Sequence, residues 1–438
     1  MRIFDKYAKL RDVIKSGELH TGQKDILIFL KGTLGKDDLP ALVVEPANED
    51  ELCASFEYAA AKQMKVALAS GLRPVEVRDL KEQMLLLTTR LTESPAFSAG
   101  RSSVRVPGGL PVEALAIDLQ RAGMRWRPLL PVPAKTSAGE LIAAGWEGLR
   151  NWRDGGMLSH INSVEWMGTD GRMHRSGPAA PGGGALDVSG FLYGSRGAAG
   201  VITALELEIE SIPQTRASAL FELPSARAAV EMMTALREFE PLAETVIYWG
   251  ETATEILRKG NDGTVSEKAA VMISAEWRDE IRWPEAWRAF GKPFTDPLAI
   301  DALWQDLLRF SRTATRLHPE RTTATLRVPA PAMTDLEEAA RELGRDFNFP
   351  VALWGTVEAG HMNVWILKPD AEPRTNVRAE DLMKKIVEAA VNLGGCCAAG
   401  NTLSFHIRDG RSSATHALKE QFIRKCDPAG VFVPLSKT

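Results

Sequence analysis

The chain has 438 residues, of which 45% are hydrophobic and 25% charged, with a formal net charge of −4. That length allows about two or three domains whose cores need no disulfides, and so weak a charge argues against nucleic acid as a partner. No apolar run approaches the roughly 18–20 residues of a membrane span, and the opening MRIFDKYAKLRDVIKSGELH has no apolar core of the kind a secretory signal carries. The four cysteines, Cys53, Cys396, Cys397 and Cys426, contain no CxxC pair. They predict buried structural thiols in a reducing cytoplasm. The adjacent pair Cys396–Cys397 leaves a redox or cluster-binding alternative open.

After a helical N-terminal segment, ALVV ending at Pro46 predicts a strand. Asn48, Glu49 and Asp50 then open a helix whose apolar residues Leu52, Phe56, Ala59 and Ala60 share one face. Lys65 to Ser70 returns to strand and closes a β-α-β unit. LLLTTRLT and SVRVPGG are further strands, and PVEALAIDLQRAGM is a helix. Residues 133–160, rich in Gly, Ala and Ser, form loops around one short helix. HINSVEWMGTDGRMHR predicts a hairpin turning at Thr169-Asp170-Gly171, with His160 and His174 at its surface ends. Gly177 to Ala185 is a loop, and LYGSRGAAGVITALELEIESIP places a glycine-rich loop directly before a clean strand.

Near Gln214 the texture changes. SARAAVEMMTALREF is a helix, TVIYWG and AAVMISAEW are strands, and the segment from WPEAWRAFG to SRTATRL is mostly helical. TTATLRVPA is a strand and TDLEEAARELGRDF a helix. VALWGTVEAGHMNVWILK is a strand pair, AEDLMKKIVEAAVNLGG a helix, and ALKEQFIRKCDPAGVFVP a helix stopped at Asp427-Pro428. Arg321 and Arg327 lie six apart on one strand, so both point to one face, either as solvated arginines or as an anion site. Trp277, Trp283, Trp287 and Trp304 are expected as core or interface anchors. The strand–helix–strand repeats of this half predict a ferredoxin-like α+β sheet.

Taken in order, LPALVVEPANEDEL, VRVPGGLPVEALAIDLQRAGM, GTDGRMHR, GSRGAAGVIT and LKEQFIRKCDPAGVFVP resemble the FAD-linked oxidases of the p-cresol methylhydroxylase/vanillyl-alcohol oxidase fold. Within it they are most similar to the branch of glycolate oxidase flavoprotein subunits and D-lactate dehydrogenases. The resemblance implies an α+β fold with a two-subdomain FAD-binding domain at 1–214 and a ferredoxin-like cap at 215–414. A closing segment at 415–438 would return to the FAD domain. It places one pyrophosphate loop at Ser70, Gly71, Leu72 and Arg73, and a second at Thr136, Ser137 and Gly139. The adenine end and flavin wall fall at Gly155, Gly156, Ile161, Gly194, Gly197, Gly200, Val201 and Ile202. The physical need behind such loops is converging N–H donors, and only small residues let backbone approach phosphate closely.

The motifs also depart from the family. The first loop has one glycine and then Pro74, which has no N–H to donate, and Ala138 replaces a glycine of the second. No histidine stands in the first loop, so the FAD is expected to be non-covalent. Where the resembled family carries metal-ligating histidines and a Glu-His pair, this chain has Thr356, Asn363, Gly400 and Asn401, so no metal is expected. His361 and His406 remain as displaced base candidates, each with the alternative of a satisfied structural histidine, and Arg327 as an anion contact.

The resemblance implies an oxidoreductase subunit that takes electrons onto FAD and passes them to an iron–sulfur partner, since the chain lacks cluster-spaced cysteines. An active flavoprotein paralogue is a further expected partner, and membrane association would be peripheral and through that partner. The alternative is a non-catalytic scaffold that has lost FAD. A stand-alone oxidase using O₂ is a third option.

Overall fold

A computed structural model describes residues 6–30, 39–69, 80–128, 132, 135–150, 155–177, 187–212, 216–236, 243–260, 269–276, 296, 298, 302, 304, 310, 313–356, 360–397 and 413–433. Three sheets organise them. The first has five strands, in the order Glu18–Thr21, Leu42–Glu45, Met84–Leu87, Val66–Ala69, Phe432–Val433. Its central strands are parallel and buried on both faces, which is why LVVE, VALA and MLLL are nearly continuous apolar runs. The helix Glu49–Ala61 covers one face through Leu52, Phe56 and Ala59. It starts where Asn48 accepts the Glu51 N–H, a side-chain cap. The N-terminal segment is helical only in part: Glu18–Thr21 pairs antiparallel with Leu42–Glu45 as an edge strand.

Glu51 fastens that edge. Its buried carboxylate accepts the N–H groups of Lys15, Ser16, Gly17 and Ala47. Burial pushes its pKa up, but these donors outweigh burial and hold the carboxyl below its ordinary range. No periodicity signals a buried glutamate with this task, and the sequence pattern missed it.

The second sheet centres on the long strand Val201–Ser211, which pairs antiparallel with Ser103–Pro107, Met124–Trp126 and Ile161–Met167. The alternation in ALELEIE puts Leu205, Leu207 and Ile209 into a core with Leu115, Leu119, Leu141 and Ile142. The hairpin Ile161–Met167/Met173–Ser176 forms as its turn residues predict. His160, however, is buried at 2% exposure rather than at the surface, because the 3-10 turn Met157–His160 tucks under the sheet, where Trp126 donates to the His160 carbonyl. His174 stacks on Trp166. The C-terminal helix Ser413–Cys426 packs on this sheet through Phe422 and Ile423. The chain then runs back to the first sheet, where Phe432–Val433 lies parallel to Val66–Ala67.

The third sheet has seven strands, all antiparallel, in the order Arg216–Leu223, Ala269–Glu276, Ala243–Trp249, Val351–Thr356, His361–Leu367, Arg321–Arg327, Cys396–Cys397. Its last four strands alternate with the helices Met333–Phe347 and Pro373–Asn392 in the order of a ferredoxin-like unit. These helices cover one face with Leu336, Ala340, Leu382, Met383 and Ile386. On the other face Trp304, Phe310, Trp354 and Trp365 pack together, with Phe310 stacked on Trp365 at 5.1 Å and edge-on to Trp354 at 5.2 Å. Trp304 is thus a core anchor, donating to Ser218 at 2.9 Å; Trp277, Trp283 and Trp287 lie outside the described residues. No helix of the described residues is long and apolar enough to cross a membrane.

Candidate active site at the domain boundary

The glycine-rich segments meet where the first two sheets join. The strand Val66–Ala69 leads to the first loop, and its Leu68 packs against Gly197. Ser70, Gly71, Leu72 and Arg73 lie outside the described residues. The segment 136–139 lies against the end of Ser103–Pro107. Val112 donates to the Thr136 carbonyl at 2.9 Å, Ala138 to Leu110 at 2.9 Å and Gly139 to Gly108 at 2.7 Å. Ser137 caps the helix Ala138–Ala144 by accepting the Glu140 N–H. Gly194 and Arg196 donate to the last turn of that helix, at Ile142 and Ala143. Glycine is sterically required at several positions of this junction, Gly108 and Gly200 among them. A Cβ at Gly108 would collide with the Ile202 carbonyl, and Gly200 has φ +126° with the Met167 carbonyl against its Cα. Val201 and Ile202 are buried beneath this junction, and Ile161 is half-buried at the start of its strand.

One buried polar atom here lacks a partner among the described residues: the Thr203 hydroxyl, on the strand leaving the loop. A buried hydroxyl without a hydrogen bond costs about 1–3 kcal/mol. The C-terminal ends of the parallel strands, two converging glycine-rich segments and this hydroxyl fit a dinucleotide.

The catalytic candidates come together on the third sheet. Arg327 pairs in register with Cys396 on one side and His361 on the other; His361 pairs with Thr356, and Thr356 with Ile247. Directly opposed residues of antiparallel strands face the same way, so Cys396, Arg327, His361 and Thr356 form one polar row. Asn363 lies in the next row and accepts from Thr325 at 3.0 Å. The row continues the aromatic face rather than the helix-covered one. Burial, then the Arg327 charge, pushes the His361 pKa down to about 3, so its ring is neutral near pH 7.

Opposite this row stands Glu147, between the helix Ala138–Ala144 and Gly156. It is buried at 8% exposure. One carboxylate oxygen accepts the Met157 N–H at 2.9 Å, and the other pairs with the Arg327 guanidinium. The Arg327 side chain stays 42% exposed. Gly156 packs against the Glu147 carboxylate, and Gly155 has φ +88°. Tyr193 donates to the Trp146 carbonyl at 2.8 Å; burial and the neighbouring Glu147 charge push its pKa up. Sequence reasoning missed Glu147 and Tyr193, and a glutamate in GWEG carries no signal that separates it from a surface one.

Arg321, at the other end of its strand, serves the fold. It stacks on Trp365 and donates to the Thr315 hydroxyl and the His318 carbonyl. Neither Arg321 nor Arg327 is therefore simply solvated. None of the four cysteines forms a disulfide; Cys397 and Cys426 are buried, whereas Cys53 and Cys396 are half-exposed and so not the buried thiols expected. His406, Gly400 and Asn401 lie outside the described residues. Among the described residues, Glu18, His20 and Glu45 have potential ligand atoms within 4.8 Å of one another. The Arg90 guanidinium pairs with both of these carboxylates and already supplies a cation there.

Comparisons with known proteins agree with this geometry. Residues 40–177 match the FAD binding domain family, and residues 212–399 match the C-terminal domain of FAD linked oxidases. A D-2-hydroxyglutarate dehydrogenase of Xanthomonas citri pv. viticola is 21% identical over 80% of this chain and 78% of its own length. A D-lactate dehydrogenase of Archaeoglobus fulgidus is 26% identical over 42% of this chain and 41% of its own. Among solved structures, 4-ethylphenol oxidase of Gulosibacter chungangensis superposes with a TM-score of 0.76 at 14% identity, covering 97% of this chain and 94% of that one. p-Cresol methylhydroxylase gives 0.76 at 11% identity, covering 96% and 94%. The chain has the two-domain architecture of the FAD-linked oxidases, with the p-cresol methylhydroxylase-type fold. It is an FAD-linked oxidoreductase whose cofactor is FAD.

Proposed function

We propose that this chain oxidises a hydroxyl compound at the boundary between its two domains, without a metal, using FAD held non-covalently. The observation that carries this reading is the row Arg327–His361–Thr356, which faces Glu147 of the other domain. Thr356 and Asn363 offer hydroxyl and amide groups, not the imidazoles that a divalent metal site would need. The curated relatives are named for D-2-hydroxyglutarate and D-lactate.

FAD bound in the FAD-binding domain supplies the two-electron acceptor. The protein's part is positioning. In this reading Thr136, Ser137 and Gly139, with Ser70, Gly71, Leu72 and Arg73 of the first loop that the family resemblance assigns, would hold the pyrophosphate, and Gly155, Gly156, Ile161, Gly194, Gly197, Gly200, Val201 and Ile202 would hold the remainder of the cofactor. His361 presents a neutral imidazole. A group with a pKa of about 3 is a weak base near pH 7, so His361 orients a substrate hydroxyl by accepting its hydrogen bond. Arg327 completes the row.

Electrons then pass to an iron–sulfur partner subunit. The support for this partner is that the chain's own cysteines lack cluster spacing. An active flavoprotein paralogue would complete such a complex, which we place in the cytoplasm, any membrane contact being made through the partner. The test is the absorbance of the purified protein. The expected result is a flavin spectrum released into solution by denaturation, bleached anaerobically by substrate, together with co-purification of a cysteine-rich subunit. Protein that takes up no FAD at micromolar excess overturns the catalytic reading in favour of a scaffold. Flavin that stays with the denatured chain overturns non-covalent binding.

A further inference from the structure

Arg327 is the cation of the polar row, and the structure does not leave its charge unbalanced. Glu147 reaches it from the other domain, held in place by the Met157 N–H and by the Gly156 backbone at its side. The two partners are unequal. The Glu147 side chain is 5% exposed and the Arg327 side chain 42%. The carboxylate is therefore the fixed member, and withdrawing Arg327 from it would leave a buried charge unpaired. His361, opposite Arg327 on the neighbouring strand, is neutral and adds no positive charge. Tyr193, beside Glu147, is also uncharged, because burial and that carboxylate keep its hydroxyl protonated. Cys396 stands on the far side of Arg327.

Among the described residues, an incoming carboxylate would thus meet one guanidinium already matched by one carboxylate. A second anion would share Arg327 with Glu147 and leave the cluster with a net negative charge in a partly desolvated place. A hydroxyl compound without charge meets no such penalty.

We infer that Glu147 is a positioning residue that sets the charge selectivity of the site: by neutralising Arg327 it makes the boundary select an uncharged hydroxyl substrate over a hydroxycarboxylate. This rests on the reading of the boundary as the substrate site, and it goes further by naming the substrate class and the residue that decides it.

The test compares two ligands of nearly the same shape, D-lactamide and D-lactate, whose dissociation constants are measured by calorimetry on the full chain as purified. The wild-type protein is expected to bind the amide more tightly than the anion. Glu147→Gln keeps a hydrogen-bond acceptor for Met157 but removes the charge, and is expected to shift the ratio at least about tenfold toward D-lactate. Glu147→Asp, which keeps the charge, is expected to restore the wild-type preference. Wild-type protein that already prefers D-lactate overturns the inference, and so does a ratio unchanged within twofold in Glu147→Gln. If Glu147→Gln does not fold, Arg327→Gln decides: its expected result is D-lactate binding weakened at least about tenfold more than D-lactamide binding, and an equal loss for both ligands, or none, overturns the inference. The flavin spectrum of the same samples separates this outcome from failure of the oxidoreductase reading, because the ligand ratio is read without turnover.

Discussion

Among the described residues, the two domains meet at carboxylate–guanidinium contacts of opposite polarity. At one, Glu147 of the FAD-binding domain holds Arg327 of the cap. At the other, Glu244 of the cap, 1% exposed, lies 2.8 Å from Arg125 and 3.9 Å from Arg150 of the FAD-binding domain. Arg125 also pairs with Glu210 at 2.6 Å, and Glu210 with Arg127 at 2.8 Å. The second contact is sealed: Leu149, beside Arg150, packs with Leu220, Ile247 and Trp249 of the cap. The first is open on its arginine side. The difference teaches where each contact acts. A largely buried network around Glu244 fixes how two bodies dock, whereas a half-exposed guanidinium keeps donors available for a ligand.

Four measurements break or sharpen that contrast. The largest expected effect is at the sealed contact. Glu244→Ala leaves Arg125 without one of its partners in the interior and should cost about 3–5 kcal/mol in urea unfolding. A loss below about 1 kcal/mol would show the contact to be open after all. At the open contact, Arg327→Gln strands Glu147 but gives it water access, and about 2 kcal/mol is expected from the same experiment.

The third measurement is a pH profile. The His361 pKa is lowered to about 3 in the folded chain, by burial first and then by Arg327. The unfolded chain, with a histidine pKa of about 6.5, therefore takes up the proton first as pH falls. Stability should decline from about pH 6.5 toward pH 3, by at most about 1.4 kcal/mol per pH unit from this group. Glu51 runs in the same direction at lower pH. Its folded pKa is depressed, so its contribution is present above its ordinary value of 4.5 and lost as pH falls below that. His361→Asn should flatten the profile between pH 6.5 and 4.5, before Glu51 matters; an unchanged slope there would place the histidine in water. The smallest effect is a baseline away from both contacts. Ser137→Ala removes the cap of the helix Ala138–Ala144 and should cost about 1 kcal/mol without changing the denaturant m-value.

Much of the fold was legible because its signals are local. ALELEIE alternates, so it becomes a strand with one buried face; Thr169-Asp170-Gly171 turns a hairpin; Asn48 starts a helix. The glycines of GSRGAAG were legible as a place where backbones approach, and at Gly200 the structure gives the reason in a positive φ and a facing carbonyl. His160 was not legible, because its burial depends on a 3-10 turn that carries little sequence pattern. The edge strand Glu18–Thr21 was missed for a related reason: a short edge has too few residues to show a period.

The sequence by itself determined which segments become strands and helices, the order of motifs that resembles the FAD-linked oxidases, and the absence of histidines at positions 356 and 363. Those features lie in the spacing of neighbours along the chain. Only the tertiary structure decided that His361 shares a face with Arg327, since strand register sets that, and that Glu147, 180 residues from Arg327, meets it across the boundary. Charge pairing between distant segments leaves no periodic trace, because any buried carboxylate needs only one partner, and the fold alone says which arginine arrives.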